Sequence, residues 1–338
     1  MLVFRPVETD DLPQLQRLAR HSLVGVTSLP DDTERLQRKV LDSCSSLKTD
    51  VQSPGPENYF FVLEDQDNRR LAGCSEILAT AGFNEPFYSL RNRQFISASR
   101  ELNIEHGVQA LSLCQDLNGH TLLRGFHIEA QLERSAFSDL LSRARLLFIA
   151  AHPQRFAEAV ITEIVGYSDD EGRSPFWDAL GKHFFDLSYA EAEHLCGLQS
   201  RTFLAELMPH YPIYVPMLPP EARACIGRVH PDGQSACDIL EREGFETNSY
   251  VDLFDGGPTL YARVAAIRSI ALSRTAPVAV GSCIDARGRY LVSNDSLQNY
   301  RAIVADLDYT AGQPIALDSE MCAALNVCEN SPIRVIEL

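Results

Sequence analysis

One stretch of the 338-residue sequence constrains the fold more than any other, because it joins a strand pattern directly to a long helix pattern. Apolar residues recur at helical spacing from Phe137 to Ala151 behind Ser135, a residue type favoured at helix N-termini. This spacing predicts a helix over 136–151. Residues 122–128 predict a strand, so only a tight connection separates the two elements. We therefore expect backbone amides at this helix N-terminus to face an anion.

Strand and helix patterns also precede this unit. Residues 2–5 predict a short strand. A helix from about residue 12 follows the capping candidates Thr9 and Asp10, and a second helix pattern covers 32–44. The chain therefore begins with a strand and two helices.

The next segment is dominated by strand patterns. Two runs rich in aromatic and β-branched residues, 58–65 and 71–78, predict an antiparallel hairpin. Residues 83–108 follow as an irregular stretch, and 109–114 predict another strand.

Helices and strands alternate beyond residue 151. The patterns predict a strand at 159–166, helices at 174–185 and 189–196, a helix capped by Ser235 and closed by Gly244, and a hairpin of 249–254 with 258–263.

From about residue 276 the pattern changes to short strands and one helix. The predicted strands are 277–284, 289–293, 300–305 and 333–337, and the predicted helix is 318–325. The chain as a whole is predicted to be an α+β protein with a mixed sheet flanked by helices. We expect a main region at 1–273, which contains insertions, and a small β-rich C-terminal subdomain at 274–338.

Charge and composition exclude several classes of function. The chain has 46 acidic and 30 basic residues, a formal net charge of −16, whereas binding to a nucleic acid backbone requires a basic face. Nine cysteines without a C-x-x-C pair argue against a zinc site or a disulfide framework. The acidic N-terminal segment does not resemble a signal peptide, and the longest apolar run, 146–151, is too short to span a membrane. We expect a cytoplasmic protein with reduced thiols, no metal, and no nucleic acid or membrane partner.

The order of the elements resembles the acetyltransferase-like (GNAT) fold, which binds acyl-coenzyme A. That fold carries Gln/Arg-x-x-Gly-x-Gly/Ala between strand and helix, where backbone amides hold the pyrophosphate. The corresponding window here is Gln131-Leu-Glu-Arg134-Ser-Ala136. Its first and last positions match, but Arg134 stands where glycine is expected. The arginine would either crowd the close backbone approach that glycine allows or supply a charge to the phosphates.

Several longer strings are more specific. They are Val26-Thr-Ser-Leu-Pro30, Phe61-Val-Leu-Glu-Asp65, Ala98-Ser-Arg-Glu-Leu-Asn103, Ser174-Pro-Phe-Trp177, Phe203-Leu-Ala-Glu-Leu-Met-Pro-His-Tyr-Pro-Ile-Tyr214, Gly227-Arg-Val-His-Pro231 and Asp252-Leu-Phe-Asp-Gly-Gly-Pro-Thr259. Together they resemble the arginine N-succinyltransferase family, and the alpha-chain type in particular. Residues 276–338 resemble the C-terminal extension of that family.

The resemblance implies an acyltransferase of arginine catabolism. It would transfer succinyl from succinyl-CoA to the α-amino group of arginine, and to ornithine as well, by direct aminolysis. Such a reaction requires no metal, no covalent nucleophile and no permanently bound cofactor, because succinyl-CoA is a co-substrate. In some bacteria the alpha-chain type works beside a homologous beta chain, so the resemblance also implies a hetero-oligomeric partner.

The resemblance further implies a set of site residues. His230 matches the proton donor proposed for the family, and histidine suits that role because its ordinary pKa is near neutrality. The strand before the pyrophosphate loop is expected to contact the acyl carbonyl and the pantetheine through its backbone. The implied coenzyme-binding residues are Phe126, His127, Ile128, Gln131, Arg134, Ser135 and Ala136.

Two charged groups of the substrates need partners that the sequence does not choose. The guanidinium of arginine needs a carboxylate, ideally a bidentate one. The candidates are Glu163, Asp169, Asp170, Glu171, Asp252 and Asp255. The succinyl carboxylate needs a cation, for which the candidates in the irregular stretch are Arg91, Arg93 and Arg100.

Two other functions remain open at this stage. One is a non-catalytic partner subunit that keeps the fold and stabilises a homologous catalytic chain, since Arg134 replaces a glycine of the pyrophosphate loop. The other is acyl transfer to a different cationic amine. Cys74 and Cys114 lie in apolar strand patterns and are expected to be small buried residues rather than nucleophiles.

Overall fold

The computed structural model describes residues 1–20, 29–198, 206–208, 210–281 and 286–338. The strings at 26–30 and 203–214 lie partly outside the described residues, and Cys283 lies outside them. The strands are β1 (Leu2–Pro6), β2 (Asn58–Asp65), β3 (Arg70–Leu78), β4 (Ser89–Ser99), β5 (Ile104–Cys114), β6 (Thr121–Ile128), β7 (Ala159–Glu163), β8 (Ile213–Tyr214), β9 (Glu246–Val251), β10 (Pro258–Arg263), β11 (Arg274–Val280), β12 (Gly288–Asn294), β13 (Ala302–Leu307), β14 (Ile315–Leu317) and β15 (Pro332–Glu337). The α-helices are α1 (Leu12–Ala19), α2 (Thr33–Lys48), α3 (Ala136–Ala151), α4 (Pro175–Ala179), α5 (Lys182–Phe185), α6 (Tyr189–Leu198), α7 (Pro220–Cys225), α8 (Gln234–Arg242), α9 (Arg268–Leu272) and α10 (Ser319–Leu325).

The strands form one mixed sheet. Their order is β14-β11-β15-β12-β13-β1-β2-β3-β6-β7-β10-β9-β4-β5-β8. Among the described residues, β6–β7 and β11–β14 are the parallel pairs. The β6–β7 ladder is short, since it registers only Thr121 with Val160 and Leu122 with Ile161. Beyond these pairs the two strands are no longer joined, and a cleft opens between their carboxyl ends.

Helices cover both faces of the sheet at β2. Successive strand residues point to opposite faces. Phe61 packs on α3, with its ring centroid 5.1 Å from that of Phe148. The neighbouring Phe60 and Val62 belong instead to the cluster formed with α1 and α2, which includes Leu36. Two-sided coverage explains why β2 is a nearly continuous apolar run rather than an alternating one.

The central strand–helix unit is confirmed. Helix α3 begins behind Ser135, whose Oγ accepts the amide of Phe137 at 3.1 Å, and the Oγ of Ser138 accepts the amide of Ser135 at 3.2 Å. Reciprocal caps of this kind satisfy amides that otherwise lack partners in the first turn. The hairpin β2–β3 is confirmed as well, and α2 extends four residues beyond its predicted end.

The prediction of an irregular stretch at 83–108 was wrong. Strands β4 and β5 form a long antiparallel hairpin that pairs continuously from Ser89–Cys114 to Ser99–Ile104. Most of its distal half is exposed, so those residues carry no buried apolar face. Without such a face there is no period-two alternation for a strand prediction to detect.

Several local boundaries differ from prediction. The predicted caps Thr9 and Asp10 lie inside a 3-10 turn, and Asp11 precedes α1. Ser235 lies inside α8, whose N-cap is Gly233, because a 3-10 turn behind His230 starts this segment earlier. Residues 174–185 form the two short helices α4 and α5 rather than one helix.

Residues 274–338 extend the same sheet. They supply β11–β15 and α10, and they contain the unpredicted strand β14. Their strands join the rest through β13, which pairs with β1 at Phe4–Ala302, and through the hydroxyl of Tyr300, which donates to the Ala144 carbonyl at 2.9 Å. In the part of the chain that the structure describes, no helix is long and apolar enough to cross a membrane.

Candidate active site

The cleft between β6 and β7 is the candidate active site. Its volume is about 610 Å³, and β6 lines it from Leu122 to Phe126 while β7 and the following residues line it from Thr162 to Val165. Residues of α2, α3, α6 and α8 complete the walls. Two parallel strands that part in this way expose backbone groups that would otherwise pair with each other. The cleft is therefore a place where an extended ligand can add to the sheet.

A bulge in β6 faces this cleft. Cys74 pairs with His127 and Glu76 pairs with Arg124, so Gly125 and Phe126 together lie opposite one residue of β3. Gly125 has φ of +64°, a conformation that favours glycine. Bulges re-aim backbone groups away from the ladder. Of the three predicted contacts on this strand, Phe126 lines the cleft, whereas His127 and Ile128 pair with β3 and do not line it.

The loop from Gln131 to Ala136 connects the bulged strand to α3. Arg134 has φ of +55°, so its backbone takes the left-handed conformation in which glycine is preferred. The side chain of Arg134 is exposed. The side-chain Nε2 of Gln131 donates to the Glu129 carboxylate at 2.6 Å. The capping box uses the amides of Ser135, Phe137 and Ser138. Within the described residues, the amides of Arg134 and Ala136 have no acceptor.

His230 lies beside the cleft rather than on its surface. Its amide donates to the Val165 carbonyl at 2.9 Å, and Val165, Asp232 and Gly233 line the cleft while His230 itself does not. Its Nδ1 lies 3.2 Å from the Asp232 amide and 3.9 Å from Oδ2 of the same residue. The neutral ring can accept from the amide, and the protonated ring can face the carboxylate. Both states leave Nε2–H free to act as a donor.

One side of the cleft carries an acidic wall, formed by Glu163, Glu193, Asp252 and Asp255. Asp255 accepts the amides of Gly166 and Gly257, each at 2.7 Å, so both its oxygens hold the surrounding backbone. Burial and the nearby Asp252 carboxylate raise the pKa of Asp255 well above its usual value, although those two amides oppose the shift. Asp255 is therefore suited to holding the loop more than to binding a cation.

Asp252 is placed differently from its neighbour in the acidic wall. Its Oδ1 accepts the amides of Phe254 at 2.6 Å and Asp255 at 3.3 Å. Its Oδ2 has no hydrogen-bond partner within the described ranges. Asp252 thus presents a fixed carboxylate with one oxygen available to a ligand.

The opposite side carries a basic wall, formed by Lys39, Arg124 and Arg145. Lys39 and Arg124 both bind the buried carboxylate of Glu76, with shortest distances of 2.7 and 2.9 Å. Burial alone would raise the pKa of Glu76, but Arg124 and Lys39 outweigh it and lower that pKa to about 2. Two of the three cations of this wall, Lys39 and Arg124, thus share one carboxylate.

The predicted charged candidates separate into two groups. Glu163, Asp252 and Asp255 line the cleft. Asp169, Asp170 and Glu171 belong to a turn outside it, in which Asp169 pairs with Arg173. The three predicted arginines lie on β4 or the turn after it, away from the cleft, and Arg91 pairs there with Asp116.

Sequence reasoning missed the basic wall. Arg124 interrupts an otherwise apolar strand pattern, and Arg145 interrupts the apolar pattern of α3. Charged residues at such positions are rarely buried without a reason, and that was the available signal. The described residues contain no group of three histidines, cysteines or acidic residues placed to hold a metal ion.

A mixed sheet that opens between two parallel strands, with a capped helix N-terminus directly after the first of them, defines an acyltransferase of the acetyltransferase-like (GNAT) class. The model of the arginine N-succinyltransferase beta subunit matches residues 2–269, and the model of that subunit's C-terminal domain matches residues 274–337. The chain belongs to the arginine N-succinyltransferase family.

Individual relatives agree with this assignment. The chain is 57% identical to the arginine N-succinyltransferase subunit alpha of Pseudomonas aeruginosa, over 99% of both chains. It is 37% identical to the arginine N-succinyltransferase of Yersinia pseudotuberculosis, over 100% of this chain and 98% of the relative. The solved structure of the arginine/ornithine succinyltransferase subunit AI from Pseudomonas aeruginosa superposes with a TM-score of 0.94 at 54% identity, over 100% of this chain and 98% of that one. The predicted family, fold class and enzyme class are confirmed.

Proposed function

We propose that the protein transfers the succinyl group of succinyl-CoA to the α-amino group of arginine, and of ornithine. The observation that carries this proposal is the opposite charge of the two walls of one cleft. An anionic acyl group and a cationic acceptor each find a wall of complementary sign there. Family membership supports the same reaction.

The reaction is an aminolysis. The neutral α-amine attacks the thioester carbonyl, a C–N bond forms, and collapse of the tetrahedral intermediate breaks the C–S bond. The amine loses a proton to solvent, and the departing thiolate takes one from the His230 imidazolium, which solvent then reprotonates. The bulge at Gly125 and Phe126 offers backbone groups where the oxyanion develops.

We propose that the coenzyme enters along β6, with its pyrophosphate at the loop Gln131–Ala136. The backbone amides of Arg134 and Ala136 would donate hydrogen bonds to the pyrophosphate. The positive end of the α3 helix dipole would add to the attraction. Phe126 would lie beside the acyl end, and Ser135 would keep the first turn of α3 rigid through its cap.

The side chain at residue 134 is expected to add charge rather than to crowd the coenzyme. Replacing Arg134 by asparagine, which tolerates the left-handed conformation, should weaken coenzyme A binding by about fivefold, since an exposed ion pair is worth up to about 1 kcal/mol. Glycine at this position should have the same effect. Calorimetric titration with coenzyme A at low and high salt measures both variants. Tighter binding by the glycine variant would mean that the arginine obstructs the site.

We also propose a second chain as partner. The chain is 39% identical to the arginine N-succinyltransferase subunit beta of Pseudomonas aeruginosa, over 100% of this chain and 98% of that one, and that organism also has the alpha subunit described above. A hetero-oligomer of two homologous chains is therefore a reasonable assembly for this protein. We propose a division of the chain between residues 273 and 274, and a cytoplasmic location.

An assay of the purified chain tests the proposed function. Free thiol released from succinyl-CoA should appear with arginine and ornithine, and much more slowly with norvaline, which has no distal cation. Lysine and agmatine extend the comparison to other cationic amines. If coenzyme A binds but no acceptor releases thiol, a non-catalytic partner subunit is the better description.

A further inference from the structure

Arg145 is an unusual buried charge. Only 2% of this residue is exposed, and it lines the cleft. Within the described ranges no carboxylate lies within 4 Å of its guanidinium. Burial lowers the pKa of Arg145 to about 9, which still leaves the guanidinium charged at neutral pH. A buried charge without a counter-ion costs free energy unless a ligand supplies one.

The guanidinium of Arg145 is held in one orientation. Its Nε and Nη2 donate to the carbonyl and hydroxyl of Ser142, at 3.2 Å each, and Nη1 reaches the Glu76 carbonyl at 3.5 Å. It also lies over the ring of Phe126, 5.8 Å from the centroid. Phe126 belongs to the bulge that faces the cleft, so the fixed positive charge lies beside the acyl end of the proposed site.

The carboxylate of Glu76 does not neutralise Arg145. Lys39 and Arg124 both bind that carboxylate, and Arg124 uses Nε and Nη2 for the pair. Arg145 reaches the backbone carbonyl of Glu76 instead. A neutral acyl group beside Arg145 would therefore leave its charge uncompensated.

We propose that Arg145, supported by Arg124, forms the subsite that binds the distal carboxylate of the succinyl group and so selects a dicarboxylic acyl donor. The inference rests on the proposed function, because it assigns the acyl end of that reaction. A carboxylate there would complete the ion pair that Arg145 lacks. The acidic wall would repel the succinyl carboxylate. The two walls would therefore orient the acyl donor with its carboxylate towards Arg145.

The test compares two donors of equal carbon number, succinyl-CoA and the uncharged butyryl-CoA. Replacing Arg145 by methionine should lower kcat/KM for succinyl-CoA by about 30-fold or more, the loss expected when one partner of a buried charge pair is removed, and change it for butyryl-CoA by less than about 3-fold. Lysine at this position keeps the charge and should restore part of the preference. Arg242→Met is the matched control, because it removes an exposed arginine of α8 that pairs with Asp139 of α3, the helix that carries Arg145.

Several outcomes would overturn the inference. Equal losses of kcat/KM for both donors would place Arg145 at the developing oxyanion instead, and an unchanged kcat/KM for both donors would remove it from the site. If Arg145→Met does not fold, Arg124→Gln on the partly exposed neighbour should produce the same selective loss. Calorimetric binding of the two donors measures the preference without turnover. If the wild type binds succinyl-CoA more tightly than butyryl-CoA but succinylates no acceptor, the result would contradict the proposed function and still support the subsite.

Discussion

Replacing His230 by alanine should lower kcat by about 10²–10⁴-fold while coenzyme A binds as before, since a positioned general acid contributes that much to a rate. The expectation follows from its place beside the cleft, where its amide is fixed by Val165 and its Nε2 remains available. Steady-state kinetics with succinyl-CoA and arginine measure kcat, and calorimetry measures coenzyme binding.

The same histidine also has a structural role, and a second variant separates the two roles. Its Nδ1 caps the turn at Asp232 by accepting that amide. Asparagine is a good capping residue and can accept the same amide, but it cannot protonate a thiolate. His230→Asn should therefore be as slow as His230→Ala if the ring acts as the acid. A fast asparagine variant would reduce His230 to a cap, and would remove it from the proposed chemistry.

The elements that the sequence predicted best are those with a buried face and a local cap. Helix α3 has both, because its apolar residues repeat along one side and Ser135 begins it. The distal half of the hairpin β4–β5 has neither. Its residues are mostly exposed, and the two strands are joined there by continuous backbone pairing that ends at Ser99 and Ile104. Pairing of that kind leaves no periodic signal in one sequence.

The candidate site also combines features that local sequence predicts with features that depend on the fold. Asp252 and Asp255 stood among six acidic candidates that local spacing could not separate, and the fold brings these two and Glu163 to one wall. The basic wall depends on contacts across the chain, since Arg124 meets Glu76 48 residues away. The family resemblance predicts the coenzyme loop and His230 as site residues. Long-range packing alone decided which charges face the cleft.

Asp252 is the position at which loss of a negative charge should most lower kcat/KM for the acceptor arginine. The guanidinium of arginine needs a carboxylate with a free oxygen, and Oδ2 of Asp252 meets that need, whereas Asp255 spends both oxygens on backbone amides. Replacing Asp252 by asparagine keeps an oxygen for the amides of Phe254 and Asp255 and removes the charge. Loss of one partner of a buried charge pair costs about 2–5 kcal/mol, so kcat/KM for arginine should fall by at least about 30-fold.

The neutral acceptor norvaline makes this expectation specific to the guanidinium. It cannot use the carboxylate, so its low kcat/KM should be nearly the same in the wild type and in Asp252→Asn. Asp169→Asn, in the exposed turn with Arg173, is the matched control and should leave arginine and norvaline unchanged. If norvaline is succinylated as well as arginine in the wild type, the acidic wall does not select a cationic acceptor, and the opposite charges of the cleft need another explanation.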